Sequence, residues 1–430
     1  MCHSQRRHSF LINLCNEIFM KNLKKQDPAV ASAITGEMKR QKEGLELIAS
    51  ENYVSDAVLE ALGSVMTNKY SEGYPGKRYY GGQEFTDKVE TLAIERAKKI
   101  FGADHVNVQP LSGASANMIV YSALLKPGDT VLGMDLGHGG HLTHGHPVTF
   151  SASIYNFVRY KTTASGEIDY KELEAMAKKH KPKMILAGFS AYSRNLDYKK
   201  FRKVADSCGA LLMMDMAHIS GLIAGKALDN PVPYCDVVTS TTHKSLRGPR
   251  AGIILCKEKY AKQINKALFP GFQGGPHMNN VAALAVALGE VLKPTFKTYA
   301  KRVVSNAKVL ETELKKQGFH VCFGKTENHL LLIDTVKSKK LTGDQVEKVL
   351  DAVGMTLNKN MVPDDARSAM DPSGIRLGTP AATTRGMGAK EMKKIAKWIG
   401  EACDHIEDKK EIARIAKEVK KMCVSFPLYK

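Results

Sequence analysis

The stretch Ala210-Leu211-Leu212-Met213-Met214-Asp215-Met216-Ala217-His218 is followed, one apolar run later, by Ser240-Thr241-Thr242-His243-Lys244-Ser245-Leu246-Arg247-Gly248-Pro249-Arg250. These two segments decide how the chain is read. A short, unbroken apolar run without helical spacing reads as a strand buried on both faces, as in parallel sheets covered by helices. The first run ends in an aspartate, and a lysine follows the second. Open α/β sheets hold their ligands beyond the carboxyl ends of strands, so both side chains stand where a ligand would lie.

Working outward, the same alternation of apolar runs and amphipathic stretches covers residues 104–256, the pattern of β-α units around a mostly parallel sheet. Strands are expected at 105–109, 130–134, 183–188, 210–214, 236–240 and 252–256. Helices are expected at 114–125, 169–180 and 197–208, with Asp169 and Asp197 as N-caps. Upstream, residues 27–42 and 86–101 read as helices around a Gly/Tyr-rich loop at 71–82. After Pro294 a long helical pattern runs to Gln317, then strands near 329–334 and 375–378 and helices to the end. The expected division is an N-terminal extension (1–26), a helical and loop segment (27–85), a large α/β domain (86–292) and a smaller α+β domain (293–430).

The chain has 430 residues, 43% of them hydrophobic, enough for two or three domains with ordinary cores. No apolar run approaches the roughly 20 residues of a bilayer crossing. The eight cysteines show no C-x-x-C spacing, which points to free thiols in a reducing cytoplasm. The net charge of +19 comes mostly from lysines on helical stretches, where a solvated face is the plain reading; as a sign of nucleic acid it has no recognition motif beside it. Residues 1–19 weakly resemble a targeting segment, but Asn13, Asn16 and Glu17 break the apolar run, and the reading is an extension of no catalytic importance ahead of Met20.

Three elements carry chemistry. Lys244, flanked by hydroxyls, a histidine and two arginines, is placed for a depressed pKa, because burial and nearby cations disfavour the ammonium, and only a neutral amine attacks an aldehyde. A solvated lysine beside a strand is the competing reading. Asp215 can hold a pyridine nitrogen protonated, making the ring an electron sink; it could equally cap a helix or bind a metal. The turn Leu111-Ser112-Gly113-Ala114-Ser115-Ala116-Asn117 presents backbone N–H groups to a phosphate. Together, in this chain order, they suit the aminotransferase-like class of pyridoxal enzymes.

The chain resembles the serine hydroxymethyltransferase family over nearly all of residues 27–430. The resemblance rests on Glu46-Leu47-Ile48-Ala49-Ser50-Glu51-Asn52, on the loop from Asn68-Lys69-Tyr70-Ser71-Glu72 through Tyr79-Tyr80-Gly81-Gly82, on Gly139-Gly140-His141-Leu142-Thr143-His144-Gly145 and on Phe189-Ser190-Ala191-Tyr192-Ser193-Arg194. It rests further on Thr241-Thr242-His243-Lys244, Phe269-Pro270-Gly271-Phe272-Gln273-Gly274-Gly275-Pro276 and Ser373-Gly374-Ile375-Arg376-Leu377-Gly378-Thr379-Pro380. It implies a fold-type I α/β architecture, pyridoxal 5'-phosphate as cofactor, tetrahydrofolate as co-substrate, and a homodimer whose subunits share each site.

Carried residue by residue, the resemblance implies that Lys244 is the Schiff-base lysine, Asp215 the partner of the pyridine nitrogen and His141 the imidazole on the ring. Ser190 and His218 lie near the ring hydroxyl. Ser112, Gly113, Ala114 and His243 contact the phosphate, with Gly274 and Gly275 reaching in from the neighbouring subunit. Arg376 clamps the substrate carboxylate, a task suited to its bidentate fork, with Ser50 and Tyr80 beside the amino acid. Tyr70 and Glu72, again from the partner chain, handle protons. Leu136, Gly140, Leu142, Asn360 and Ser368 lie on the folate side. Glu72 could instead be a loop carboxylate paired with Lys77 or Arg78.

His138, His141, His144 and His146 invite a metal reading. The surrounding glycines argue against a shared helix face, and the sequence places no acidic ligand beside them, so no metal is expected. The chain departs from the family pattern at Ala114-Ser115, at Asn279 and in Arg367-Ser368-Ala369-Met370; Ser115 could replace a missing phosphate hydroxyl. A folate-independent enzyme of the threonine-aldolase type would share Lys244 and Asp215.

Overall fold

The structure, a computed structural model, describes residues 20–429. The expected N-terminal extension up to residue 19, with Cys2 and Cys15, lies outside the described residues. Seven strands form the main sheet: β1 (His105–Asn107), β2 (Thr130–Met134), β3 (Asn156–Tyr160), β4 (Met184–Gly188), β5 (Leu211–Asp215), β6 (Val237–Thr241) and β7 (Gly252–Cys256), in the spatial order β1-β7-β6-β5-β4-β2-β3. Only β7 runs against its neighbours; the other pairs are parallel. The expected mostly parallel α/β core is the one observed.

Every residue of β4, β6 and β7 is buried, which is why these strands read as continuous apolar runs. Strand β3 was not expected. It forms an edge of the sheet, with Asn156 exposed and Phe157, Val158 and Arg159 only partly covered, so it lacks that signature.

Helices cover both faces. The helix α1 (Pro28–Glu43) starts at Asp27, whose carboxylate accepts from the Val30 N–H, and α2 (Glu84–Phe101) follows the Gly/Tyr-rich loop. Helix α3 (Gly113–Leu124) is capped by Ser112, α4 (Tyr170–His180) by Asp169 and α5 (Tyr198–Cys208) by Asp197, so both expected aspartate caps are present.

The long α6 (Pro294–Lys316) joins the two main cores. Its Phe296, Tyr299, Ala300 and Val303 pack against the large sheet, whereas Ala307, Leu310 and Leu314 belong to a second core. That core lies against an antiparallel sheet of β8 (His320–Val321), β9 (Leu330–Asp334), β10 (Asn358–Asn360) and β11 (Gly374–Gly378), ordered β8-β9-β11-β10. The N-terminal Leu45 and Leu47 share the same core, because Leu45–Glu46 pairs in parallel with Met355–Thr356. The segment before the Gly/Tyr-rich loop therefore packs on the smaller C-terminal unit, and this brings Ala49 and Ser50 beside β11.

Candidate active site

The strand order turns back at β2, with β3 on one side and β4 on the other. Such a reversal opens a crevice beyond the carboxyl ends of the strands. The loop after β2 carries His141 and the loop after β4 carries Ser190, and they are laced together: the N–H groups of Ser190 and Ala191 both donate to the Gly139 carbonyl, at 2.7 and 3.1 Å. Gly139 adopts φ 105°, and a Cβ on Gly140 would stand 2.3 Å from the Met134 carbonyl oxygen, so this loop requires glycine at both positions.

Asp215 closes β5 in a buried position. One carboxylate oxygen accepts from the Asn117 amide at 2.8 Å and from His144 Nε2 at 3.2 Å; the other accepts from the Ala217 N–H at 3.0 Å. Burial by itself would raise this pKa. The hydrogen bonds from His144 and Asn117 outweigh it and hold the carboxyl well below its usual range. Hydrogen bonds to a charged group are worth about 1.5–3 kcal/mol each, so the anion is well supported.

The expected absence of an acidic group near the histidines is corrected here: His141, His144 and Asp215 bring their ligand atoms within 4.8 Å of one another. The fold supplies the carboxylate from a different strand. His144 engages both ring nitrogens internally, because Nδ1 accepts from the His141 N–H at 3.3 Å, which leaves Nε2–H to donate to Asp215. His141 accepts the Thr143 N–H on Nδ1 at 3.2 Å, and burial, followed by His144, lowers its pKa to about 4. A neutral imidazole therefore faces the crevice above Asp215.

Lys244 lies just past β6, buried, with its pKa lowered to about 8. Burial is the main cause. Asp215 opposes it, and the cations of Arg376 and Arg250 reinforce it. Of the two arginines expected to act from the sequence, only Arg250 does so. Arg247, at φ 60°, turns its guanidinium onto the rings of Tyr299 and Phe296, 4.6 and 5.4 Å from their centroids. Asn52, unassigned on sequence grounds, donates to the Lys244 carbonyl at 3.0 Å and to the Tyr299 hydroxyl at 2.7 Å.

At the far end, Ser112 begins α3. Its Oγ accepts from the Ser115 N–H at 3.1 Å and lies 3.0 Å from the Ser115 hydroxyl, so Ser115 does bring a hydroxyl to this turn. A Cβ on Gly113 would meet the Thr241 methyl at 2.6 Å, which seats the turn directly against the end of β6. His243 is two residues further on. Its Nδ1 is buried without a partner, and burial, then Arg250 and Lys244, lowers its pKa to about 3.

Arg376 rises from the middle of β11, opposite Leu332 and Asn358. It donates to Asn358 Oδ1 at 3.1 Å and to the Ser190 carbonyl at 2.8 Å, and burial pushes its pKa down to about 10. No carboxylate among the described residues pairs with it. Ser50 follows Ala49, whose Cα would stand 2.7 Å from a Cβ on Gly378 of the same strand. His218 is buried with Nδ1 3.2 Å from His329 Nε2, the two rings stacked at 5.4 Å, and burial drives its pKa well below the usual imidazole value.

A different arrangement holds for Tyr70, Glu72, Tyr80, Gly274 and Gly275. Tyr70 donates to Glu72 at 3.1 Å, and Tyr80 meets the Tyr70 ring edge-on at 5.3 Å. A Cβ on Gly274 would stand 3.5 Å from Glu72 Oε1, and one on Gly275 3.6 Å from the Tyr70 ring. The five form one cluster in which Tyr70 and Tyr80 are half exposed, and none of their hydrogen bonds reaches Lys244, Asp215 or Arg376. The alternative pairing of Glu72 with Lys77 or Arg78 is not what forms. Arg78 turns inward to Asp87 at 2.9 Å and Glu90 at 2.5 Å, fixing the hairpin Gly73–Tyr74 and Lys77–Arg78 from behind.

The expected folate-side residues fall on two segments. Leu136, Gly140 and Leu142 lie in the loop after β2, Asn360 ends β10, and Ser368 lies in the loop between β10 and β11.

An anionic carboxylate at one end, a buried lysine with its pKa lowered to about 8 in the middle and a serine-capped helix with an orphaned imidazole nitrogen at the other fit a planar, phosphorylated pyridine aldehyde. Fold and site together define a pyridoxal-phosphate enzyme of fold-type I. The serine hydroxymethyltransferase family model matches residues 23–399. A curated serine hydroxymethyltransferase from Koribacter versatilis (strain Ellin345) is 55% identical over 410 residues, covering 95% of this chain and 96% of that protein. The chain belongs to the serine hydroxymethyltransferase family, and with it to the transferases that use pyridoxal phosphate with tetrahydrofolate as co-substrate.

Proposed function

We propose that this chain moves the hydroxymethyl carbon of L-serine reversibly to tetrahydrofolate, giving glycine, 5,10-methylenetetrahydrofolate and water, at a site built around Lys244. The observation that carries the placement is the convergence of Asp215, Lys244 and Arg376 on one crevice, the first two buried and Arg376 half-buried, each from a different strand or strand end. Pyridoxal phosphate, when bound, supplies a sink for the electron pair released as the carbon leaves.

The protein's own groups do the rest. Lys244, with its ammonium disfavoured by burial, offers an amine nucleophile. Asp215, kept anionic by Asn117 and His144, holds a proton on the pyridine nitrogen. His141 would face the ring of the cofactor, with Ser190 and His218 toward its hydroxyl. Ser112, Gly113, Ala114, Ser115 and His243 receive the phosphate. Arg376, which pairs with no carboxylate among the described residues, would take that of serine, with Ser50 beside it, and so orient the amino acid.

In this reading Glu72 Oε and Tyr70, acting from the neighbouring subunit, move the proton of the departing hydroxymethyl group, Tyr80 stands beside the amino acid, and Gly274 and Gly275 close the phosphate pocket from the neighbouring subunit. Their exposed placement, among half-exposed aromatics that include Tyr79, Phe85 and Phe272, supports a homodimer. Leu136, Gly140, Leu142, Asn360 and Ser368 face the folate. Residues 86–292 serve as the cofactor domain, 293–430 as the smaller domain and 27–85 as the segment shared with the interface.

We place the protein in the cytoplasm: the six described cysteines are free, and among the described residues no helix is long and apolar enough to cross a membrane. The test uses serine labelled at its hydroxymethyl carbon. Label should reach the folate pool only with both cofactor and tetrahydrofolate present, and Lys244→Ala should abolish the transfer. Equal consumption of serine with and without folate would favour the aldolase reading.

A further inference from the structure

His138 is buried, yet it belongs to neither the ring nor the phosphate end of the site. Its Nδ1 accepts from the Thr162 backbone N–H at 3.2 Å and lies 2.9 Å from the Thr162 hydroxyl. With Nδ1 occupied as an acceptor, Nε2 carries the hydrogen and donates it to Asp364 Oδ1 at 3.2 Å. Lys161 reaches the same oxygen at 2.6 Å. The contact spans 226 positions and joins the loop after β2, in the large domain, to the loop between β10 and β11, in the small one.

The second loop is also pinned from within. Asp365 accepts from the N–H groups of Val362, Arg367 and Ser373 and from the Ser373 hydroxyl. It is thus a stiff arm with one outward anchor. On one side of that anchor the chain continues to Gly139, Gly140 and His141; on the other it leads back to Asn360 and onward to Ser368.

We propose that the His138–Asp364 contact is a positioning clasp that sets the gap between the two halves of the folate-facing mouth, and so governs the use of the pterin co-substrate without touching the amino-acid chemistry. This rests on the folate placement proposed above. The Lys161 arm is solvent-exposed and contributes little, since exposed ion pairs are weak and screened by salt. The buried imidazole carries the contact.

Asp364 has φ 52°, so the informative variants are residues that tolerate the left-handed region. Asp364→Gly removes the acceptor. Asp364→Asn keeps an oxygen for His138 Nε2–H but loses the ion pair with Lys161. The expected result for Asp364→Gly is a rise in KM for tetrahydrofolate of about tenfold, the size expected for loss of one partly buried hydrogen bond, with kcat within about twofold and the folate-free cleavage of a 3-hydroxy amino acid unchanged. Asp364→Asn should restore KM to near the parent value.

Asn360→Ala serves as the control, since it probes the folate placement directly. A raised folate KM in Asn360→Ala with a parental KM in Asp364→Gly would overturn the clasp and leave the placement standing. A parental KM in both would overturn the placement itself. Equal losses in folate-dependent and folate-free reactions of Asp364→Gly, without rescue by Asn, would show a merely structural contact and overturn the proposal.

Discussion

The pocket around Lys244 and the cluster around Tyr70 and Glu72 are built on opposite principles. In the pocket the charged groups are buried or half-buried and have their environment defined by the same chain: Asp215 by Asn117 and His144, Lys244 by Asn52 through its carbonyl, Arg376 by Asn358 and Ser190. Burying such groups is expensive unless their partners are in place, so this half of the site is committed when the chain folds. The cluster has the reverse character. Its hairpin is bolted down from the inner side by Arg78, Glu90 and Gln109, while the chemical groups face outward with little but each other for company. On the proposed reading, the difference is between a cofactor pocket that one chain largely assembles and a carboxylate that it offers to its partner's site.

The largest effect that separates the two regions is expected from Asp215→Asn. The amide removes the charge that stabilises a protonated pyridine nitrogen while preserving the volume. Turnover should fall on the order of 10²–10³-fold, the cost of removing one preorganised electrostatic partner, with the visible absorption band of the bound cofactor retained. Loss of the band along with turnover would mean that Asp215 holds the cofactor in place and does not tune it.

A smaller effect concerns pH. Burial lowers the Lys244 pKa to about 8, so its neutral form becomes the majority as pH rises through that value, well before an ordinary lysine would deprotonate. The rate at which apoprotein captures pyridoxal phosphate should therefore climb with pH and level off above about 8. A rate still climbing through pH 10 would mean that burial does not prepare the lysine.

Much of the buried region was legible in the chain, because burial on both faces writes itself as an apolar run. Strands β2 and β7 have the expected bounds, and β5 and β6 are displaced by one residue, which places Asp215 inside its strand. The aspartate caps of α4 and α5 were legible because capping is local. What stayed hidden depends on chain segments that meet only in the fold. Nothing near His144 announced the Asp215 carboxylate, nothing near His218 announced His329, and nothing near His138 announced Asp364. Asn117 did leave a signal, as a polar residue early in an otherwise apolar helix, and it holds Asp215 from there. Edge strand β3 was lost for the opposite reason: half-covered strands with Asn and Arg carry no clear period.

The central claim, that Glu72 serves a different site from the Lys244 of its own chain, is tested most directly by mixing two inactive variants, Lys244→Ala and Glu72→Ala, under conditions that exchange subunits. If sites are shared across a two-fold interface, half of the randomly formed dimers are mixed and each holds one intact site, so activity should return to roughly a quarter of the parent value. If each chain completes its own site, no mixed dimer contains an intact one, and a mixture that stays as inactive as its components would contradict the account.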